Sequence, residues 1–213
     1  MAYKKPALPE ACLNLAVVDI ECASLYSHTP ILCVGIKPLG SEPYIMGLKD
    51  FPPVAGRNID KHLVCATLDE LERYDGYVTW NGLMFDIPML DDRATMAGRK
   101  IHETRFHCDA MYLASWGKSR MQSRRLDWVA KQLGCPFVKT QLDINVWQDA
   151  IAESLLYANV GGSLDQLDKE LSSRFKVGHK NYDYIVEHCL EDLKVTEWVF
   201  GRLKNRMRSM IKR

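Results

Sequence analysis

"LNLAVVDIE", Leu13 to Glu21, decides the fold. Its first six residues are apolar and β-rich apart from Asn14, as expected of a central strand covered on both faces. The run closes on two acids, Asp19 and Glu21, and because side chains alternate across a strand, both carboxylates share one face. Like charges at the end of a buried strand share a proton, pair with basic side chains, or bind a hard divalent cation such as magnesium. A strand end that frays into solvent also carries acids without consequence, and one D-x-E does not choose between these readings.

Working outward, "ILCVGIKP" (Ile31 to Pro38) reads as the neighbouring strand, "PYIMG" as a third, and "YVTW" (Tyr77 to Trp80) as another buried strand. Thr67 and Glu70 form a capping box that opens a short helix ending near Gly76. Pro88 suits the first turn of a helix that ends around Gly98. From Cys108 the chain turns mostly helical: a helix capped by Ser123 and closed by Gly134, another over "INVWQDAIAESLLYA", and one opened by Ser163 and Gln166. The last helix starts after Asn181 and carries a stripe of Ile185, Cys189, Leu193, Thr196, Phe200, Leu203 and Met207. Strands first and helices after, with no linker or repeat, predict one α/β domain over residues 1–213.

The composition, 47% hydrophobic in 213 residues, is sufficient for a packed core. A net charge of +1 means that any nucleic-acid partner is held by local patches rather than by an overall cationic field. The 7 cysteines are scattered and form no CxxC pair, which argues against a disulfide framework or a structural zinc site and favours a reducing compartment. His102, His107 and Cys108 lack a fourth ligand at useful spacing, so zinc is rejected there too. No apolar run approaches the roughly 20 residues needed to cross a bilayer, so a cytoplasmic location and no membrane partner are expected.

Two further acids fall at suggestive places. Asp86, in "TWNGLMFDIPML", sits in a loop just past a strand, where sites are commonly built; read blandly, it caps the following helix. Asp192 lies one helical turn after His188 in "HCLED", which by itself reads as a surface contact. If all four carboxylates converge, they destabilise the fold unless cations neutralise them.

In order and spacing, "VVDIE", "NGLMFD" and "HCLED" resemble the three motifs of the DEDD superfamily of 3'-5' exonucleases, the ribonuclease H-like group that includes polymerase proofreading domains. The segment "FHCDAMYLASWGKSRMQSRRLDWVAKQLG" resembles the helical connection of family B proofreading domains. The resemblance implies a ribonuclease H-like fold, with a central mixed sheet flanked by helices, and a single exonuclease domain. It implies two divalent ions, Mg2+ or Mn2+, held by Asp19, Glu21, Asp86 and Asp192. Asp19 would bridge the ions, Glu21 and Asp192 would hold the one that activates water, and Asp86 would support the other. The third motif departs from the pattern: it has the histidine branch's residue at the tyrosine branch's spacing. His188 is accordingly assigned as general base or water-positioner.

The expected activity is hydrolysis of terminal phosphodiesters at single-stranded DNA 3' ends to nucleoside 5'-monophosphates, with replication or repair proteins as possible partners. The alternatives are a 3'-5' exoribonuclease and a nucleic-acid-binding module whose catalysis has decayed. Asn81 and Phe85 match second-motif positions that line the cleft in relatives, and Leu25 is placed as a wedge beside the last base. Arg124 belongs to a basic run beside Trp116 whose cations and aromatic suit a single strand.

Overall fold

The structure is a computed structural model and describes residues 13–22, 24, 26–54, 56–101, 106–115, 121–159, 161–163, 166 and 181–206. Five strands form one sheet in the order β3-β2-β1-β4-β5: β1 (Leu15–Cys22), β2 (Ile31–Pro38), β3 (Tyr44–Gly47), β4 (Gly76–Thr79) and β5 (Phe106–Asp109). β1, β2 and β3 pair antiparallel, whereas β4 and β5 run parallel to β1. The sheet is therefore mixed, and the opening run of the sequence is its central strand.

The helices are α1 (Lys61–Leu71), α2 (Asp86–Met96), α3 (Ala110–Ser115), α4 (Leu126–Gln132), α5 (Ile144–Asn159) and α6 (Asn181–Leu203). Alternation along β1 divides the core. Ala16, Val18 and Ile20 pack with Leu63 and Val64 of α1 and Leu90 and Ala94 of α2. Leu15 and Val17 pack instead with Leu113, Val129, Leu193 and Val199 from α3, α4 and α6. Asp19 and Glu21 continue the odd-numbered series, so the pleat aims them toward α6.

α6 lies across β1, β2, β3 and β4. It approaches the sheet tightly at Gly35, where a Cβ would stand 2.6 Å from Cys189 Sγ and 2.7 Å from Leu193 Cδ1. Gly35 is the cross-strand partner of Asp19, so the helix is drawn onto the sheet in the row that carries the first acid. Glu153 of α5 fixes the other end of α6. Its buried carboxylate accepts the N–H groups of Asn181 at 3.0 Å and Tyr182 at 3.4 Å, satisfying donors a helix start leaves open. Tyr182 donates its hydroxyl to the Leu32 carbonyl at 2.8 Å. These contacts set the register in which α6 presents His188 and Asp192.

Three local expectations change. Thr67 does not open a helix; it is buried inside α1, because "HLVCA" before it already carries apolar positions at helical spacing. Ser123 accepts the Arg125 N–H at 3.2 Å but stands ahead of α4, whose cap position is Arg125 with no side-chain bond. Phe106–Asp109 is a strand that runs past Cys108, where the chain is expected to turn mostly helical, and its four residues are too few to show a period. The Gln166 N–H does meet Ser163 Oγ at 3.3 Å, while the helix expected after it lies outside the described residues, as does Met207.

Candidate active site

β4 is only four residues long, and its pairing with β1 ends at Val17 and Val78. Beyond that point β1 has an open edge on this side, and Asp86 closes it: its Oδ1 accepts the Ile20 N–H at 2.9 Å. Asp86 is 2% exposed and is the first residue of α2 rather than its side-chain cap. The bland reading of Asp86 as a helix cap thus gives way to a long-range tether onto the first motif.

The loop before it is braced by a residue that sequence reasoning passed over. Asp109, at the end of β5, accepts the N–H groups of Asn81 at 2.9 Å, Leu83 at 3.1 Å and Met111 at 3.0 Å. Asn81 holds a left-handed backbone, φ 65°, a conformation Asn tolerates better than most residues. Gly82 follows where a Cβ would lie 2.3 Å from Thr79 Oγ1. The turn is therefore compressed onto the end of β4. Nothing local in the sequence signals this, because the bracing carboxylate comes from a neighbouring strand.

Across the sheet, α6 delivers the third motif. Glu21, His188 and Asp192 each present a ligand atom, all within 4.8 Å of one another; Asp19, Glu21 and Cys189 form a second such group. Asp19 Oδ2, His188 Nδ1 and Asp192 Oδ1 are buried without a hydrogen-bond partner. Buried acceptors left unsatisfied are costly, and oxygen and imidazole donors converging on one point are the donor set of a divalent cation. The residues present fit such an ion, and Asp86 stands beside the groups rather than within them.

Three residues from segments with little diagnostic character complete the surroundings. Lys139 donates to Asp192 Oδ2, and Thr140 holds the same loop to Glu191 through its N–H at 2.7 Å and its hydroxyl at 2.6 Å. Trp147 of α5 sets its ring edge-on to His188, centroids 6.0 Å apart. Burial lowers the His188 pKa below its ordinary 6.5, against the opposing pull of Asp192. The imidazole is thus neutral near pH 7, the form that accepts a proton.

Among the expected substrate contacts, Phe85 is partly buried and packs against the core, and Asn81 lies in the braced turn. Arg124 is exposed, and its carbonyl accepts Trp80 Nε1–H at 3.1 Å. Leu25 lies outside the described residues, as do His102, Trp116, Lys118 and Arg120 of the rejected zinc set and the basic run. No disulfide joins the six described cysteines. No described helix is long and apolar enough to cross a membrane.

Burial first, and then the Asp192 carboxylate, raise the Asp19 pKa from 3.8 to about 7. Burial and the Asp19 charge also raise Glu21 and Asp86. The folded state therefore binds protons more tightly than the unfolded chain. Its stabilisation by Asp19 protonation is full below pH 3.8 and is lost as pH rises through about 7. A tenfold difference in proton affinity between the two states corresponds to about 1.4 kcal/mol. Chelator-treated protein should accordingly melt at a lower temperature at pH 8 than at pH 5, and Mg2+ or Mn2+ should close that gap by binding only the folded state. Equal melting temperatures at the two pH values, unmoved by either cation, would contradict this electrostatic account.

A family model described as the RNase_H superfamily matches residues 16–147. A search of curated proteins found no match. Among solved structures, the family B DNA polymerase from the hyperthermophilic archaeon Pyrobaculum calidifontis superposes with a TM-score of 0.52 at 17% identity over 86% of this chain. The chain spans 27% of that polymerase's length, and the likeness at this identity is one of fold. Mixed sheet, flanking helices and a model match over more than half of the sequence agree: the chain belongs to the RNase H superfamily.

Proposed function

We propose that the protein is a metal-dependent 3'-5' exonuclease that removes nucleoside 5'-monophosphates from single-stranded DNA 3' ends, in a replication or repair setting. The observation that carries this reading is the convergence of the first and third motifs: Asp19 and Glu21 from β1 meet His188 and Asp192 from α6 in one buried cluster with orphaned ligand atoms. Membership of the RNase H superfamily supports a nuclease acting on nucleic acid.

Asp19, Glu21 and Asp192 would hold two ions, Mg2+ or Mn2+, with Asp86 supporting from its position against Ile20. When bound, such ions neutralise the phosphate, activate a water and stabilise the leaving oxygen. The chain's own contribution is to keep the carboxylates in place and the histidine neutral. His188 Nδ1, buried and unpartnered, is the atom available to take the proton of the attacking water, and the Trp147 edge limits how the ring turns.

The test is release of labelled mononucleotide from 3'-labelled DNA, set beside 5'-labelled DNA, duplex DNA and RNA, with Mg2+ or Mn2+. Cleavage of RNA alone would transfer the reading to an exoribonuclease, and no cleavage of any substrate would favour a decayed binding module. For His188, replacement by Ala should slow cleavage about a hundredfold, the lower end for a general base. Recovery in His188→Tyr would identify water positioning rather than proton transfer, and a full rate in His188→Ala would remove the residue from the mechanism.

A further inference from the structure

Away from the carboxylates, a groove of about 620 Å³ opens between the C-terminal half of α6, the turn after β2 and Phe137. Lys37 and Glu197 both line it but neutralise each other at 2.7 Å. Lys194 has no carboxylate within salt-bridge distance among the described residues, and Arg202 holds its guanidinium 4.8 Å from the centre of the Trp198 ring. Glu42 is the remaining acid of the lining. Phe137 is 47% exposed in the same groove.

One short loop joins this groove to the catalytic cluster. Two residues beyond Phe137, Lys139 donates to Asp192, and Thr140 fastens the loop to Glu191. Lys194 follows Asp192 by two positions on α6 and so projects from the other side of the helix, and this loop is what links the groove on that side to the site where a strand's terminus would be cut. Aromatic faces interleaved with cations are the pattern that binds single strands without sequence preference: bases stack and phosphates meet charge. With a net charge of +1 over the chain, such affinity has to be built locally.

We propose that this groove holds the substrate strand behind its terminal nucleotide, bases stacking on Trp198 and Phe137 and phosphates meeting Lys194 and Arg202. The inference rests on the nuclease reading and names where that substrate is gripped. It is tested by fluorescence anisotropy of a labelled single-stranded oligodeoxynucleotide in chelator, over a salt series, with the full-length protein. Trp198→Ala should weaken binding about five- to a hundredfold, and Trp198→Phe, which keeps a stacking face and the packing, should restore most of it. Lys194→Ala and Arg202→Ala should each lower the salt slope by about 0.7. Wild-type affinity and slope in all of these variants would overturn the groove and leave it open to a protein partner. Absence of single-strand binding by the wild type would overturn it too, whereas intact binding without cleavage under any cation would overturn only the nuclease reading.

Discussion

Asp19→Ala is expected to lower mononucleotide release from 3'-labelled single-stranded DNA by about a thousandfold or more. The magnitude follows from the several kcal/mol that metal-ion catalysis supplies and from a tenfold rate change per 1.36 kcal/mol. Glu21 is common to both ligand groups, and Asp19 interacts with acids on three elements. It adjoins Glu21 and Cys189 in one ligand group, interacts with the Asp192 charge, and raises the pKa of Asp86. The same substitution removes a buried charge, so the cation-free variant should melt no lower than the wild type at pH 8. Lost activity with retained stability separates a catalytic role from a structural one; a variant that cleaves at the wild-type rate would end the exonuclease proposal.

The second large effect is on stability. Arg93→Ala should cost about 3–5 kcal/mol in denaturant unfolding, the usual consequence of stranding one partner of a buried ion pair. Arg93 of α2 and Asp60, just before α1, are 2% and 1% exposed and bonded through both guanidinium Nε, at 2.8 Å, and Nη2. Asp60 also accepts the Ile31 N–H at 2.9 Å, and Arg93 donates to the Ser27 carbonyl at 3.2 Å. The pair thereby ties the loop after the first motif, the start of β2 and the helix that begins with Asp86. A double replacement by Leu and Met should recover only part of the loss, because the Ile31 N–H is left without its acceptor. A loss below about 1 kcal/mol in Arg93→Ala would show that the pair behaves like a surface bridge.

Much of the site was legible in the chain because its chemistry is concentrated in short motifs on regular elements. "VVDIE" fixes two carboxylates on one face through strand alternation alone, and "HCLED" fixes a histidine and an acid on one helical face. What those faces meet is another matter. Asp86, expected among the metal-site acids, could also be read as a helix cap because capping is a local habit of Asp, yet its partner, Ile20, is 66 residues away. Asp109, Lys139 and Trp147 were missed for the same reason: each acts on a motif remote in sequence, and none carries a spacing of its own. Thr67 misled in the opposite direction, a capping pattern overruled by the packing of α1.

By itself, then, the sequence determined the α/β class, the central strand and the closing helix, since periodicity is a property of the chain, while the roles offered for the acids came from a resemblance to a family. Only the tertiary structure decided that β4 stops short and leaves Ile20 to Asp86, and that Gly35 admits α6 onto the row of Asp19. It alone placed Lys139 against Asp192. Those facts depend on how far one element runs past another and how closely two surfaces approach, and that is set by packing between residues far apart in the chain.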